Sequence, residues 1–402
     1  MKSLLPRLAV AGALLCALLC GTPSFVYAAG NGWFTTWAGP GRDPGATASN
    51  FPAGTTVREP VFASISGDSV RVKFSNAFGT ATLTIGPASI GTRLSGSSVI
   101  PGTLMALTFG GKSSIDIPPH GLVLSDPVNL TVPALTDVVV SIYLPNGSGE
   151  SVMYPGANKT TYVGAGDQTQ NNNFAQTSTS GNGFFLASVE VHSTSGMGMV
   201  AAVGDSITQG VGSTGENNRW SDRLAVRVET ANAAPLGVIG LGIAGNQLLA
   251  GALGNPAALA RFDRDVLGMA GLTHVIMADG INDFGATVNN PGSPPDPEDV
   301  EYGLRQLVSR AHARGVKVIG TTMGPAFGFR GYEVIDFKRL AYNQWIRTVG
   351  MTILDGLIDF DAVLNDPNNP SHMLPQYLTD GIHPNNAGHQ AMADAVNLNL
   401  FH

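Results

Sequence analysis

The chain of 402 residues carries 22 Lys and Arg against 29 Asp and Glu, a formal charge of −7, and only 13% of its residues are charged. No cluster of Lys and Arg stands out, which excludes a nucleic-acid partner, because phosphate binding needs concentrated positive charge. Both cysteines, Cys16 and Cys20, lie close to the N-terminus, so the rest of the chain has no thiol nucleophile, no disulfide and no Cys-based metal site. No metal or cofactor is expected.

Lys2 and Arg7 lead into an apolar run from Leu8 to Leu19, and a polar stretch then ends in Val26-Tyr27-Ala28. This is the build of a secretory signal peptide over residues 1–28, cleaved after Ala28. The run is shorter than the roughly 20 residues of a membrane span, and no later segment replaces it. A lipid anchor at Cys20 would want a small residue before it, and Leu19 is large. The expectation is a secreted or periplasmic protein without stable membrane insertion. Loss of Lys2 and Arg7 takes the charge from −7 to −9, and roughly 370 residues remain, enough for two hydrophobic cores.

From about Trp33 to Pro145 the pattern is one of short strands. Ser69-Val70-Arg71-Val72-Lys73-Phe74 alternates polar and apolar residues, and Asp137 to Leu144 is a β-branched run stopped by Pro145. Turn signals recur at Gly67-Asp68, Gly79, Gly110-Gly111 and Pro118-Pro119, a spacing that suits an all-β sandwich or jelly-roll-like domain. A polar stretch from Asn146 to Gly181 reads as a connector or long surface excursion. Phe184 to Val191 then returns to the β half, which is placed at 29–195, with the boundary near Gly196.

Over 196–402 apolar strands alternate with amphipathic helices. Strands are expected at Met199–Val203, Gly237–Ile243, His274–Ala278, Lys317–Thr322 and Leu357–Phe360. Helices are expected near Ser221–Thr230, Pro256–Leu267, Glu298–Arg314, Glu333–Thr348 and Pro384–Leu400. Repeated βα units imply a parallel sheet with helices on both faces, an α/β fold whose site lies at the carboxyl ends of the strands.

Four short blocks fall on that edge. Gly204-Asp205-Ser206-Ile207-Thr208-Gln209-Gly210 follows the first strand and offers a hydroxyl nucleophile, although Gly-Asp-Ser is also an ordinary turn. Gly242-Ile243-Ala244-Gly245-Asn246 follows the second strand, and its glycines let backbone approach a ligand. Gly280-Ile281-Asn282-Asp283 follows the third and supplies a side-chain amide. Asp380-Gly381-Ile382-His383-Pro384-Asn385 precedes the last helix; Pro384 suits the first turn of that helix and biases His383 to an extended conformation. Each block has a bland reading as a loop or cap. Together they hold what acyl transfer requires: a nucleophile, a base, an acid to orient the base, and donors for an oxyanion.

The order and spacing of the four blocks resemble the SGNH hydrolase superfamily, also called GDSL esterases and lipases. The resemblance implies a flavodoxin-like three-layer domain in which Ser206 is the nucleophile, His383 the base and Asp380 its orienting carboxylate. The oxyanion hole would be the N–H groups of Ser206 and Gly245 and the side-chain amide of Asn282. Gln209 and Ala244 stand at positions that vary in such proteins. The β half, through Trp37-Ala38, Phe74-Ser75-Asn76-Ala77-Phe78-Gly79 and Pro101-Gly102-Thr103-Leu104, resembles the domain that precedes the catalytic one in an exported branch acting on acylated polysaccharides. The Gly-x-Ser-x-Gly elbow of the α/β-hydrolases is not matched, since Thr208 fills the last glycine position.

The implied substrate is a small-molecule or polysaccharide ester, with short acyl groups such as O-acetyl foremost. Lipid or aryl esters, acyl transfer to a sugar hydroxyl, and a polysaccharide-binding protein with an idle catalytic half are the rival readings. Oligomeric state is not legible. Among other polar residues, His274, His312, His372 and His389 read as structural, Asp205 as held in its turn, and Asp279 and Asp283 as braces. Asp359-Phe360-Asp361 reads as a helix cap, and Arg219-Trp220 either reaches the pocket rim or packs.

Overall fold

The computed structural model describes residues 32–401 apart from 44, 46–48, 150, 155–158, 196–197, 232–235, 252–253 and 290–294. The expected signal peptide with Cys16 and Cys20, and the expected boundary at Gly196, lie outside the described residues.

Alternation decides the first half. In the strand Ser69–Ser75, Val70, Val72 and Phe74 are fully buried while Arg71 and Lys73 lie half-buried on the other face. This strand joins Gly32–Ala38, Leu186–Ser193 and Leu122–Leu124 in a four-stranded sheet. A second antiparallel sheet is ordered Ser178–Ser180, Thr161–Ala165, Thr55–Ala63, Thr136–Leu144, Ala88–Ser95 and Ser98–Val99, with Met105–Leu107 also paired to Ala88–Ser95. Thr136–Leu144 is the expected β-branched run, and it sits centrally between Thr55–Ala63 and Ala88–Ser95. Phe184 to Val191 returns as expected, pairing with both Gly32–Ala38 and Ser69–Ser75.

The polar stretch after Asn146, expected as a connector or a long surface excursion, runs over the β half as an excursion that carries strands of its own. Thr161–Ala165 and Ser178–Ser180 extend the larger sheet, and the residues between them cover its outer face. Arg58 explains why: its buried guanidinium donates to Ser141 Oγ (2.8 Å), Ser97 O (3.0 Å), Gln168 O (3.0 Å) and Asn171 O (2.8 Å). Ser89 Oγ donates to Thr169 O, and Phe174 lies under the Arg58 cation. A polar face is thus buried with its hydrogen bonds made.

In the second half five parallel strands are ordered Leu236–Gly242, Gly198–Gly204, Leu272–Ala278, Lys317–Thr321, Gly356–Ile358. In chain order this is 2-1-3-4-5, the doubly wound arrangement with its switch point between the first and third strands. Successive residues of the central strand feed opposite layers. Met199, Ala201 and Val203 pack with the helices Ala258–Phe262, Ile281–Asn289, Pro297–His312 and Asp336–Thr348; Val200 and Ala202 pack with Trp220–Thr230, Phe360–Leu364 and Asn386–Ala395. Pro297–His312 shows the local logic, with Asp296 and Asp299 forming a capping box, Pro297 at the first turn, and Val300, Leu304, Leu307 and Ala311 on one face. No helix among the described residues is long and apolar enough to cross a membrane.

Three expected elements differ. The helix at Pro256–Leu267 begins at Ala258 and continues as a π-turn over Asp263–Leu267. The last helix begins at Asn386 with Asn385 as its cap, so Pro384 precedes the helix rather than opening it. Ile281–Asn289, expected only as a loop or cap, is a helix.

The two halves share one apolar core that runs from Phe34 and Val72 to Val203 and Leu241. Thr35 N donates to Ala270 O and receives, at Oγ1, the Ala270 N–H, both at 3.0 Å. Arg93 and Lys159 of the β half pair with Asp137 and reach across to Glu216, which lies on the loop after the Ser206 turn.

Arg58→Ala leaves four acceptors without their donor, in two buried and two part-buried hydrogen bonds, at about 1–3 kcal/mol for each group that water cannot reach. Stability should fall by at least about 2 kcal/mol, and amide exchange should rise first in 168–173. Unchanged protection of that segment would show that Arg58 does not hold it.

Candidate active site

Gly204 pairs in register with Gly242 on one side and Ala278 on the other, so the chain leaves the sheet at three adjacent points on one edge. After the first strand it turns at once into a single helical turn, Ser206–Gln209. Asp205 caps this turn by accepting the Ile207 N–H at 2.9 Å, and Gly210 ends it. Gly242 makes room for the turn, since a Cβ there would run into the backbone of Thr208 and Gln209. Ser206 therefore stands half-buried at the sheet edge.

His383 meets it from the far end of the chain. Its Nε2 is 2.9 Å from Ser206 Oγ, and its Nδ1 is 2.8 and 3.0 Å from the two Asp380 oxygens. An ionised Asp380 fixes the ring proton on Nδ1, leaving Nε2 to accept from the serine hydroxyl. The loop is held on all sides. His383 N donates to Asp380 Oδ1, Thr379 N and Oγ1 donate to His383 O, and Asn385 N donates to Tyr377 O at 2.7 Å. Partial desolvation pushes the Asp380 carboxyl up, but the bonds from the His383 ring and backbone outweigh it and hold the group below the usual carboxylate range. The fold thus brings Ser206 and His383 together across 177 residues of sequence, with Asp380 on the same loop as the histidine.

Gly245 turns with φ +73° after the second strand, and neither its N–H nor that of Ser206 has a protein acceptor among the described residues. Asn282 stands in the first turn of its helix. One of its N–H groups donates to Asn246 O at 3.0 Å; the second faces Asp205 Oδ2 at the long distance of 3.4 Å and is the less committed donor. The N–H groups of Ser206 and Gly245 and the Asn282 amide thus lie on the three loops that leave adjacent strand ends on one edge of the sheet.

Several supports were invisible in the sequence. Arg261, fully buried, donates to Gly204 O, Leu241 O and Asn246 Oδ1, tying two strand ends to the second block. An arginine on the inward face of a short apolar helix was the available signal. Gln209 Oε1 accepts the Ala244 N–H at 2.6 Å, so two positions described as variable join the first and second blocks. Asp283 was expected to brace the Asn282 block; its carboxylate instead accepts from Leu248 N and Leu249 N and ties that block to the segment after the second one. Phe329 stands edge-on to His383 with centroids 5.4 Å apart.

Other residues sort as follows. Arg219 is buried and paired with Asp222, and Trp220 is fully buried against Phe360, so this pair packs and does not form a rim. Asp359 caps the helix after the fifth strand and pairs with Arg347. His389 is buried between Trp220 N and Val211 O, and burial pushes its imidazole down to about 4. His312 pairs with Asp355.

Residues 202–391 match the family described as GDSL-like Lipase/Acylhydrolase. Among solved structures, a GDSL-like lipase from Bacteroides thetaiotaomicron is 21% identical, covering 50% of this chain and 87% of its own, with a TM-score of 0.39. The acetyl xylan esterase AlAXEase is 22% identical, covering 49% and 96%, with a TM-score of 0.39. A variant of an acetyl-xylooligosaccharide esterase from Geobacillus is 18% identical, covering 50% and 92%, with a TM-score of 0.40. No curated protein matches the chain.

Behind the Ser206 turn, Asp205 and Asp279 line a part-open pocket of about 30 Å³, with Asp283 close by. Burial, then mutual charge, pushes Asp205 up; burial also raises Asp279 despite Arg261, and brings Asp283 to about 7. The folded state therefore holds protons that the unfolded chain has already released, and stability must fall as pH rises toward these raised values. Between pH 6.5 and 8.5 the unfolding midpoint should decline, and Asp205→Asn should flatten the decline. A midpoint that rises across this window would contradict the assignment.

Proposed function

We propose, from the premise that the chain is a carboxylic ester hydrolase with a GDSL-like lipase/acylhydrolase domain over residues 202–391, that it works through an acyl-enzyme on Ser206. The observation that carries this reading is the continuous chain from Ser206 Oγ through His383 Nε2 and Nδ1 to Asp380, at 2.9 and 2.8 Å. As His383 Nε2 takes the hydroxyl proton, Ser206 Oγ bonds to the ester carbon. The tetrahedral oxyanion is held by the N–H groups of Ser206 and Gly245 and by Asn282 Nδ2. The C–O bond to the alcohol then breaks, and the alcohol leaves with the proton from His383. Water, deprotonated by the same imidazole, cleaves the acyl-serine and restores the hydroxyl.

The substrate class we propose is a short acyl ester, with O-acetyl groups of polysaccharides foremost. The support is the resemblance of the β half, at Trp37-Ala38, Phe74–Gly79 and Pro101–Leu104, to the domain carried by polysaccharide-directed esterases. In this reading residues 29–195 form a β-sandwich-like domain and 196–402 the catalytic one. The protein is exported after loss of residues 1–28. The aromatic ring of Phe329 beside His383 favours aryl or lipid esters as the second reading.

Ser206→Ala should abolish hydrolysis of nitrophenyl acetate and acetate release from acetylated xylan. Asn282→Ala should lower kcat about 100- to 1000-fold, the usual loss of one oxyanion donor. Hydrolysis rates across nitrophenyl esters from acetyl to palmitoyl separate the two substrate readings. A preference for long chains with no acetate release would move the substrate to lipids, and unchanged turnover in Asn282→Ala would remove that residue from the oxyanion hole.

A further inference from the structure

An asparagine can stabilise an oxyanion only with its nitrogen facing the reaction. A half-turn of the amide exchanges Oδ1 and Nδ2 with almost no change of shape, and the flipped group would repel the developing charge. Something must therefore set the orientation of Asn282.

Its surroundings divide the work. Asn246 O and Asp205 Oδ2 accept from Nδ2, whereas Tyr332 Oη donates to Oδ1 at 3.1 Å and is the one donor to that oxygen among the described residues. The carbonyl of Asn246 holds a nitrogen in place, and the phenol holds the oxygen on the opposite side. Tyr332 is buried, and burial with the nearby Asp205 charge pushes its hydroxyl up to about 12, so it remains a donor throughout the working range.

The approach is built into both elements. Gly285 lies one turn after Asn282 on the same helix, and a Cβ at that position would collide with the Tyr332 hydroxyl. Tyr332 opens a short 3₁₀ turn, its N–H donating to Phe329 O at 2.8 Å, and the Phe329 ring stands against both Tyr332 and His383. One segment, 329–332, thus touches the oxyanion amide and the general base together.

We propose that Tyr332 is a positioning residue for ester hydrolysis, its hydroxyl fixing the Asn282 amide with Nδ2 toward the oxyanion. The inference rests on the reading of Asn282 as an oxyanion donor. It assigns Tyr332 no contact with substrate, so its effect falls on the transition state and leaves substrate binding alone.

The test is a double-mutant cycle on nitrophenyl acetate hydrolysis. Tyr332→Phe keeps the ring packing and should lower kcat about 10-fold with KM within about twofold. In the Asn282→Ala background the same change should alter kcat by less than about twofold. Gly285→Ala, which displaces the hydroxyl while leaving the tyrosine in place, should reproduce the loss of kcat. Full activity in Tyr332→Phe, with Asn282→Ala still impaired, would overturn the proposal and leave the oxyanion reading intact. Equal losses from Tyr332→Phe in both backgrounds would also overturn it, because the tyrosine would then act by another route. Full activity in Asn282→Ala would remove the oxyanion reading and the proposal with it.

Discussion

The register of three parallel strands governs the catalytic half. Because Gly204 is level with Gly242 and Ala278, the three loops that follow leave from one line at the switch point of a 2-1-3-4-5 sheet, where strand order reverses and a crevice opens. A slip of one residue would turn every side chain to the other face. It would also separate the Ser206 turn from Gly245 and Asn282. Arg261 reinforces that line by donating at once to Gly204 O, Leu241 O and Asn246 Oδ1. A buried guanidinium is costly unless its donors are used, and here Nε and Nη2 are used to tie adjacent loops.

On that edge the protein combines a fixed hydrogen-bond chain with strained charge. Asp380 is exposed and held ionised by its contacts with His383, as an orienting carboxylate should be. Asp205, Asp279 and Asp283 lie behind the serine, buried, with raised carboxyls. These acids cost stability at neutral pH, and each has a task in exchange. Asp205 caps the Ser206 turn, Asp279 accepts from Gly280 N, and Asp283 anchors the loop at Leu248 and Leu249. The β half contributes through the shared core and through Arg93 and Lys159. These two grip Glu216 on the loop whose Thr214 is bonded to Asn386, beside the His383 turn.

Much of this was legible because the chemistry is carried by local patterns. A strand ending in Gly-Asp-Ser, an acid three residues before a histidine, and an alternation of apolar strands with amphipathic helices are all written within a few neighbouring positions. The parallel sheet and its functional edge followed from them, and the resemblance of the four blocks pointed to Ser206, His383 and Asp380, which the fold places within hydrogen-bond reach of one another. In the Asn146–Gly181 stretch the surface excursion was legible from its polarity, but not its two strands, nor the bonds by which Arg58 gathers its carbonyls across more than a hundred residues. Arg219-Trp220 turned inward because Asp222, one turn ahead, neutralises the arginine. Tyr332 and Phe329 had no local signature, and Arg261 had only its place on the inward face of a short apolar helix, since their partners lie on other elements and only the folded chain joins them.

The most direct test of this account is to find where the acyl group rests between the two halves of the reaction. Mixing the protein with nitrophenyl acetate, quenching in acid on the millisecond scale and mapping peptides by mass spectrometry would locate it. The account requires an acetyl group on the peptide containing Ser206, accumulating before steady state and absent in Ser206→Ala. Turnover with the acetyl group on another residue, or undiminished turnover in Ser206→Ala, would contradict it.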